Sequence, residues 1–349
     1  MRKVWLLAIV GIFVVILAAC GGGESKEVSN DTDNNTESGG VQMELKLGTI
    51  RTEDDPTTQA AMKFAEIVNE KTNGEIQIDV FPNSQIGDIL DMFSGMQSGT
   101  VDMMYEGISS YSWLDGAEVF NIMSLPFYWE DYDQITGVLN SEEFAKYFEE
   151  AAQNTGVRVI NAEGDTEARQ LTANKPVQTA EDFKGLKIRT AESEIVQKTM
   201  KELGASPVVI PFSDLYIALQ QGIADAQENG FITVKNNSLY EVQDYLMKTD
   251  YIRDVKAWYI SENVWNQLSD EQKEIMYEAS VEAGQLQTKL TNEIIDDTLE
   301  FLKGEMEYIE PDLDSIREAL KDLITEFDGE LWPEGLYEEV ENIRANLDG

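Results

Sequence analysis

The chain has 349 residues, 66 of them acidic and 26 basic, for a formal charge of −40. Phosphate contact demands basic patches, so a chain this negative argues against a nucleic-acid partner. There is no histidine and one cysteine. That excludes Ser–His and Cys–His nucleophile pairs, histidine metal sites and a disulfide within one chain. No metal or other cofactor is expected.

Arg2-Lys3 followed by the apolar run Val4 to Leu17 reads as a secretory signal, too short for a comfortable membrane span. It ends in Leu17-Ala18-Ala19-Cys20, which looks like a bacterial lipoprotein signal, with cleavage before Cys20 and a lipid on its sulfur. Losing Arg2 and Lys3 takes the basic count from 26 to 24 against 66 acids, about −42. Gly21 to Gly40 carries almost nothing apolar and reads as a disordered tether. Asp31, Asp33 and Asn35 mimic the start of a calcium loop. Thr36 stands where that loop needs glycine and Gln42 where it needs glutamate, so calcium is rejected.

The folded part begins near Met43, with Leu45 to Gly48 as a strand. Asp55 before Pro56 marks a helix start, and Ala61, Phe64, Ala65 and Val68 form its apolar stripe. Ile76, Ile78 and Val80 alternate with polar residues as a half-buried strand. A helix over about Asp88 to Gln97 and a strand over Val101 to Tyr105 follow, ending in Glu106-Gly107. Tyr111, Trp113, Phe127, Tyr128 and Trp129 make an aromatic-rich loop region, expected to pack a lobe, with one or two side chains available for a pocket wall. Ser141 to Gln153 reads as helix and Val157 to Ala162 as strand, and Ala168 to Thr172 crosses into the next region.

Glu181 to Gly230 is the most coherent stretch. Leu186 to Arg189 is a short strand, and a helix runs from about Glu192 to Leu203, stopped by Gly204. Pro207 to Pro211 is a second strand, Phe212-Ser213-Asp214 leads into a helix, and Asp225 to Gly230 is a third strand. That alternation predicts parallel pairing with right-handed crossovers. Ligands of such sheets sit at the carboxyl ends of the strands. Arg189, Phe212 and Asn229 fall there and suit a small anionic organic molecule, since guanidinium matches carboxylate bidentately. The competing reading makes Arg189 a surface ion-pair partner.

Beyond Gly230 the sequence predicts helix around Thr233 to Tyr245, strands near Tyr251 and at Lys256 to Ile260, and a long helix from about Asp270 to Phe301. At about 45 Å such a helix outreaches one small domain and is expected to run along both lobes. A strand near Met306 to Ile309 and a helix from Leu313 to Phe327 close the chain. The fold class is α/β: a two-lobed, periplasmic-binding-protein-like architecture with a cleft between lobes and a long helix spanning both. The division is signal peptide 1–19, tether 20–42, lobe I 43–166 plus about 255–294, and lobe II 167–254 plus about 295–349.

Several motifs in order resemble the extracytoplasmic substrate-binding proteins of tripartite ATP-independent periplasmic (TRAP) transporters, the dicarboxylate-binding-protein family. They include Arg169 to Thr172 with Asn174, Asp182 to Arg189, Pro211 to Gln220 and Gln227 to Asn229. Gln85-Ile86-Gly87, Gln97 to Asp102 and Leu125-Pro126-Phe127 add to it. The resemblance implies a non-enzymatic binder of a C4-dicarboxylate or sugar acid that delivers its ligand to the small and large membrane subunits of a permease. It implies that Arg189 pairs with the ligand carboxylate, Arg169 lies near it and Asn229 hydrogen-bonds it. Phe212 would line the pocket, and Glu106 would accept from ligand hydroxyls. Glu167-Ala168 departs from the glycine and aromatic that many members carry there, and Arg51, Glu163 and Asp165 are further residues within possible reach. Extra acids would favour a hydroxyl-rich or amine-bearing acid over a plain dicarboxylate. Two alternatives stand beside this reading: the binding protein of an ATP-driven importer, and a lipid-anchored hydrolase using two carboxylates.

Overall fold

The structure, a computed structural model, describes residues 43–347. The signal segment, Cys20, the tether and the rejected calcium loop lie outside the described residues.

Two mixed sheets carry the fold. The first runs in the order β2 (Ile76–Phe81), β1 (Met43–Gly48), β3 (Met103–Gly107), β10 (Val255–Ser261), β4 (Val157–Asp165). β1 is parallel to both neighbours and β10 is antiparallel to both of its own. The helix Pro56–Lys71 starts as the sequence requires, with the Asp55 side chain accepting from the Thr57 amide and proline in the first turn. Its apolar stripe meets Trp258, which stacks on Phe64 at 4.4 Å and on Tyr105 at 3.6 Å between ring centroids.

The second sheet runs β11 (Glu307–Ile309), β9 (Tyr245–Met247), β5 (Gln170–Ala173), β8 (Ala226–Asn229), β6 (Lys187–Thr190), β7 (Ser206–Val209). β6 is parallel to β7 and to β8, as the alternation of strands and helices predicts. The chain thus leaves the first sheet after β4, builds most of the second, and returns as β10. Its long helix, Asp270–Glu305, is capped by Ser269 and longer than expected. It packs on the Pro56–Lys71 helix and β4 at one end and on the Phe231–Asn236 helix and β11 at the other. Among the described residues no helix is long and apolar enough to cross a membrane.

Three local expectations are corrected. The strand near Tyr251 is instead β9, earlier in the chain. Gln170 Oε1 accepts from the amides of Thr249 and Asp250, and Asp250 is left-handed at φ 45°, so pairing stops before Tyr251. The helix expected over Thr233 to Tyr245 ends at Asn236, where Ser238 is left-handed at φ 52°. The closing helix divides into Leu313–Leu320 and Leu323–Phe327, and a further helix, Leu336–Leu347, lies against Tyr132–Leu139. Lys146 of the Glu142–Thr155 helix pairs with Glu339 there, so this last helix rests on two helices that precede β4.

Most of the aromatic-rich loop is packing. Tyr111 joins Phe93, Phe120 and Tyr259, while Tyr128 and Trp129 hold the Arg344 guanidinium.

Candidate functional site

The second sheet delivers its carboxyl-end residues to a cleft between the sheets. Two adjoining cavities share Arg51, Arg169 and Asn229. One, of about 390 Å³, is lined also by Arg189, Phe212 and Trp113. The other, of about 580 Å³, is walled by Glu167, Thr233, Asp254, Lys256 and Gln287. Trp113 is the member of the aromatic region that reaches a wall. Of the acids that sequence placed within possible reach, Glu163 and Asp165 line neither cavity. Glu163 accepts from Tyr132, and Asp165 is tied by its amide to Thr288.

Arg189 is the next-to-last residue of β6, 2% exposed. Its Nε donates to the Ile210 carbonyl at 2.8 Å, which fixes the plane of the guanidinium. Among the described residues its terminal nitrogens have no hydrogen-bond partner. Burial lowers its pKa to about 10, and the neighbouring Arg169 acts the same way against the opposing charge of Glu228. A cation so placed is stabilised by an incoming anion.

Arg169 lies beside it but already has a partner. It forms an ion pair with Glu228 through Nε, and Nη2 donates to Glu228 Oε1 at 2.8 Å and to the Glu228 carbonyl at 2.7 Å. Tyr251 Oη adds a bond to the same carboxylate at 2.6 Å. Nη2 also reaches Asn229 Oδ1 at 3.3 Å, while Asn229 Nδ2 donates to Gln227. Phe212 opens the turn after β7, where the Arg51 guanidinium lies 5.4 Å above its ring.

Glu106 is fully buried and lines neither cavity. Oε1 accepts from Thr49 Oγ1 and the Ile50 amide, and Oε2 from Lys256 Nζ at 3.0 Å and Arg51 Nη2 at 3.5 Å. Burial alone would raise its pKa. Lys256 and Arg51, with the two hydrogen bonds, hold it down at about 2. The side chain therefore anchors two cations that do line the cleft. Burial in turn lowers the Lys256 ammonium.

Sequence reading did not select Lys256, Thr233, Asp254 or Gln287. Glu167, noticed only as a departure from a pattern, takes a definite position. Its Oε1 accepts from the Ile232 amide at 2.7 Å and more weakly from Thr233, while Oε2 is buried with no partner among the described residues. Burial pushes its carboxyl up to about 8 against those two backbone bonds.

Residues 47–330 match the sequence model for bacterial extracellular solute-binding protein, family 7. The sialic acid-binding periplasmic protein SiaP of Vibrio cholerae is 31% identical over 289 residues, covering 82% of this chain and 89% of that protein. A solute-binding protein of Roseobacter denitrificans is 29% identical over 286 residues, covering 81% and 86%. A crystal structure of a TRAP periplasmic solute-binding protein from the same organism, with bound L-galactonate, superposes with a TM-score of 0.80 at 28% identity, over 87% of this chain and 99% of that one. One from Polaromonas, bound to D-erythronate, gives 0.80 at 25% identity over 87% and 98%. The chain therefore belongs to the bacterial extracellular solute-binding proteins of family 7, the substrate-binding proteins of TRAP transporters, and like those relatives it serves transport and is not an enzyme.

Proposed function

We propose that this protein captures a carboxylate-bearing organic acid between its lobes and hands it to the small and large membrane subunits of a TRAP permease. The ligand carboxylate would rest on Arg189, with Asn229 hydrogen-bonding it, Phe212 covering it and Arg169 contributing its charge from beside Glu228. Glu106 would act on the ligand through Arg51 and Lys256. Lipid on Cys20 would hold the protein at the outer face of the cell membrane, which fits a family that works outside the cytoplasm.

One observation carries the reading. Of the four cations lining the cleft, Arg51 and Lys256 are bonded to Glu106 and Arg169 to Glu228, while Arg189 has no carboxylate bonded to it among the described residues. A buried guanidinium with a fixed plane and free terminal nitrogens complements one carboxylate. Relatives that bind sialic acid, L-galactonate and D-erythronate support an acidic ligand.

Thermal-shift screening over uronates, aldonates, sialic acid, keto acids and C4-dicarboxylates finds the ligand, because whatever binds only the folded form raises the melting point. Calorimetry on Arg189→Ala should then show a loss of at least ~2 kcal/mol, about thirtyfold in affinity. Arg189→Lys should lose affinity too, since it keeps the charge without the planar fork. Unchanged binding in Arg189→Ala refutes the assignment.

A further inference from the structure

We propose that Glu167 sets which acids the cleft accepts: it takes a hydrogen bond from an O–H or N–H group on the ligand, remote from the carboxylate held by Arg189, and so selects hydroxy or amino monoacids against dicarboxylates. The inference rests on the acid-binding reading above and adds the chemistry of the ligand's other end.

The geometry of Glu167 is built in. Gly230 has no side chain, and a Cβ there would stand 2.2 Å from Glu167 Cδ and 2.3 Å from Oε1. The missing side chain is what lets the carboxyl lie across residue 230 and meet the amides of Ile232 and Thr233. Those bonds use Oε1 only. Oε2 is shielded from solvent and unpartnered among the described residues, although buried carboxylate oxygens ordinarily find donors. Because Glu167 stands in the cavity wall, the donor that the protein does not supply has to enter with the ligand. A plain cap of the short helix would need no second oxygen left over.

Charge points the same way. Five carboxylates line the two cavities, and among the described residues Arg189 is the one lining cation without a carboxylate bonded to it. One ligand carboxylate answers Arg189. With Glu167 ionised, above the value of about 8 to which burial raises it, a second would bring its charge and acceptor oxygens to a wall that already holds Glu167, Asp55 and Asp254. Hydroxyl and ammonium groups share the required donor, and both fit that wall.

The test uses acids matched in length: succinate, D-erythronate and 4-aminobutanoate, then adipate, L-galactonate and 6-aminohexanoate. In calorimetry on the wild-type protein at pH 9, above the value of about 8 to which burial raises Glu167 and so with its carboxylate ionised, a donor-bearing member should bind about tenfold or more tighter than the dicarboxylate of its set. Whichever donor-bearing acid is tighter identifies the donor as hydroxyl or ammonium. Glu167→Gln keeps an oxygen for the two amides but replaces Oε2 with an N–H donor, so the ratio should fall about tenfold in favour of the dicarboxylate. Gly230→Ala, which displaces the carboxyl without removing it, should move the ratio the same way. A wild-type protein that binds the dicarboxylate best overturns the proposal, as does a ratio unchanged in both variants, or equal weakening of every acid. Separately, Arg189→Ala should lose all of these acids. If it binds them like wild type, or if no acid in the panel binds wild type, the underlying reading falls instead.

Discussion

Arg51 and Thr233 meet across the cleft, Arg51 Nη1 donating to Thr233 Oγ1 at 3.0 Å. Arg51 follows the first strand of one lobe and Thr233 lies on a short helix of the other, so this bond exists only while the lobes are together. The same guanidinium covers Phe212 and touches Glu106. It is the residue through which the buried acid of one lobe senses the other. The exposed Ser213–Asp88 contact at 2.7 Å also crosses but is worth little in water.

Thr233→Val keeps the shape of the side chain and removes the acceptor. A charged hydrogen bond contributes roughly 1.5–3 kcal/mol when buried, and this one is only partly buried. Ligand dissociation, followed by stopped flow, should therefore quicken about three- to tenfold, with the association rate nearly unchanged. Equal dissociation rates would mean that closure rests on other contacts.

The Arg169–Glu228 pair predicts a stability effect distinct from binding. Glu228 is 1% exposed and bonded to Arg169 and Tyr251. Glu228→Gln leaves Arg169 without its counter-charge. Breaking a fully buried pair costs about 3–5 kcal/mol, and Arg169 opens onto the cleft, so the lower end applies. Urea unfolding should report a loss of about 3 kcal/mol, part of which a bound organic acid restores by supplying negative charge. A loss below about 1 kcal/mol would show that cleft water already solvates Arg169.

How much of this was legible in the sequence depends on the distance over which each residue acts. Arg189, Phe212 and Asn229 stood out because a local strand–helix alternation puts them at strand ends, and the sheet keeps that order. The identity of the partners is not local. Glu106 looked like a ligand acceptor, yet Lys256, 150 residues further on, occupies it. Its signal was present, a lone lysine within the otherwise apolar strand Val255 to Ile260, since a buried cation needs a buried acid. Thr233 and Gln287 carry no such mark. They enter the site because a short helix and the long helix happen to pass the cleft. The Leu336–Leu347 helix was missed for a similar reason: its apolar face makes sense only against Tyr132–Leu139.

The Glu106 cluster predicts an acid limb to stability. In the fold its pKa is about 2, against an ordinary value near 4.5 once unfolded. A carboxyl lowered by folding stabilises the protein fully above the unfolded value and loses that contribution as pH falls from about 4.5 toward 2. The difference amounts to about 3 kcal/mol at neutral pH. Glu167 and Asp165, raised by burial to about 8 and about 6, act in the opposite sense, stabilising less as pH rises through those values. The wild-type curve alone thus mixes the two. The measurement that isolates Glu106 is the gap in unfolding free energy between wild type and Glu106→Gln, taken at pH 7, 5.5 and 3, on both sides of the isoelectric point near 4.1. It should be about 3 kcal/mol at the two higher values and shrink to under half by pH 3. A gap constant from pH 7 to 3 would mean that Lys256 and Arg51 do not hold the carboxyl ionised, and the cleft would lose the acid that fixes its two lobe I cations.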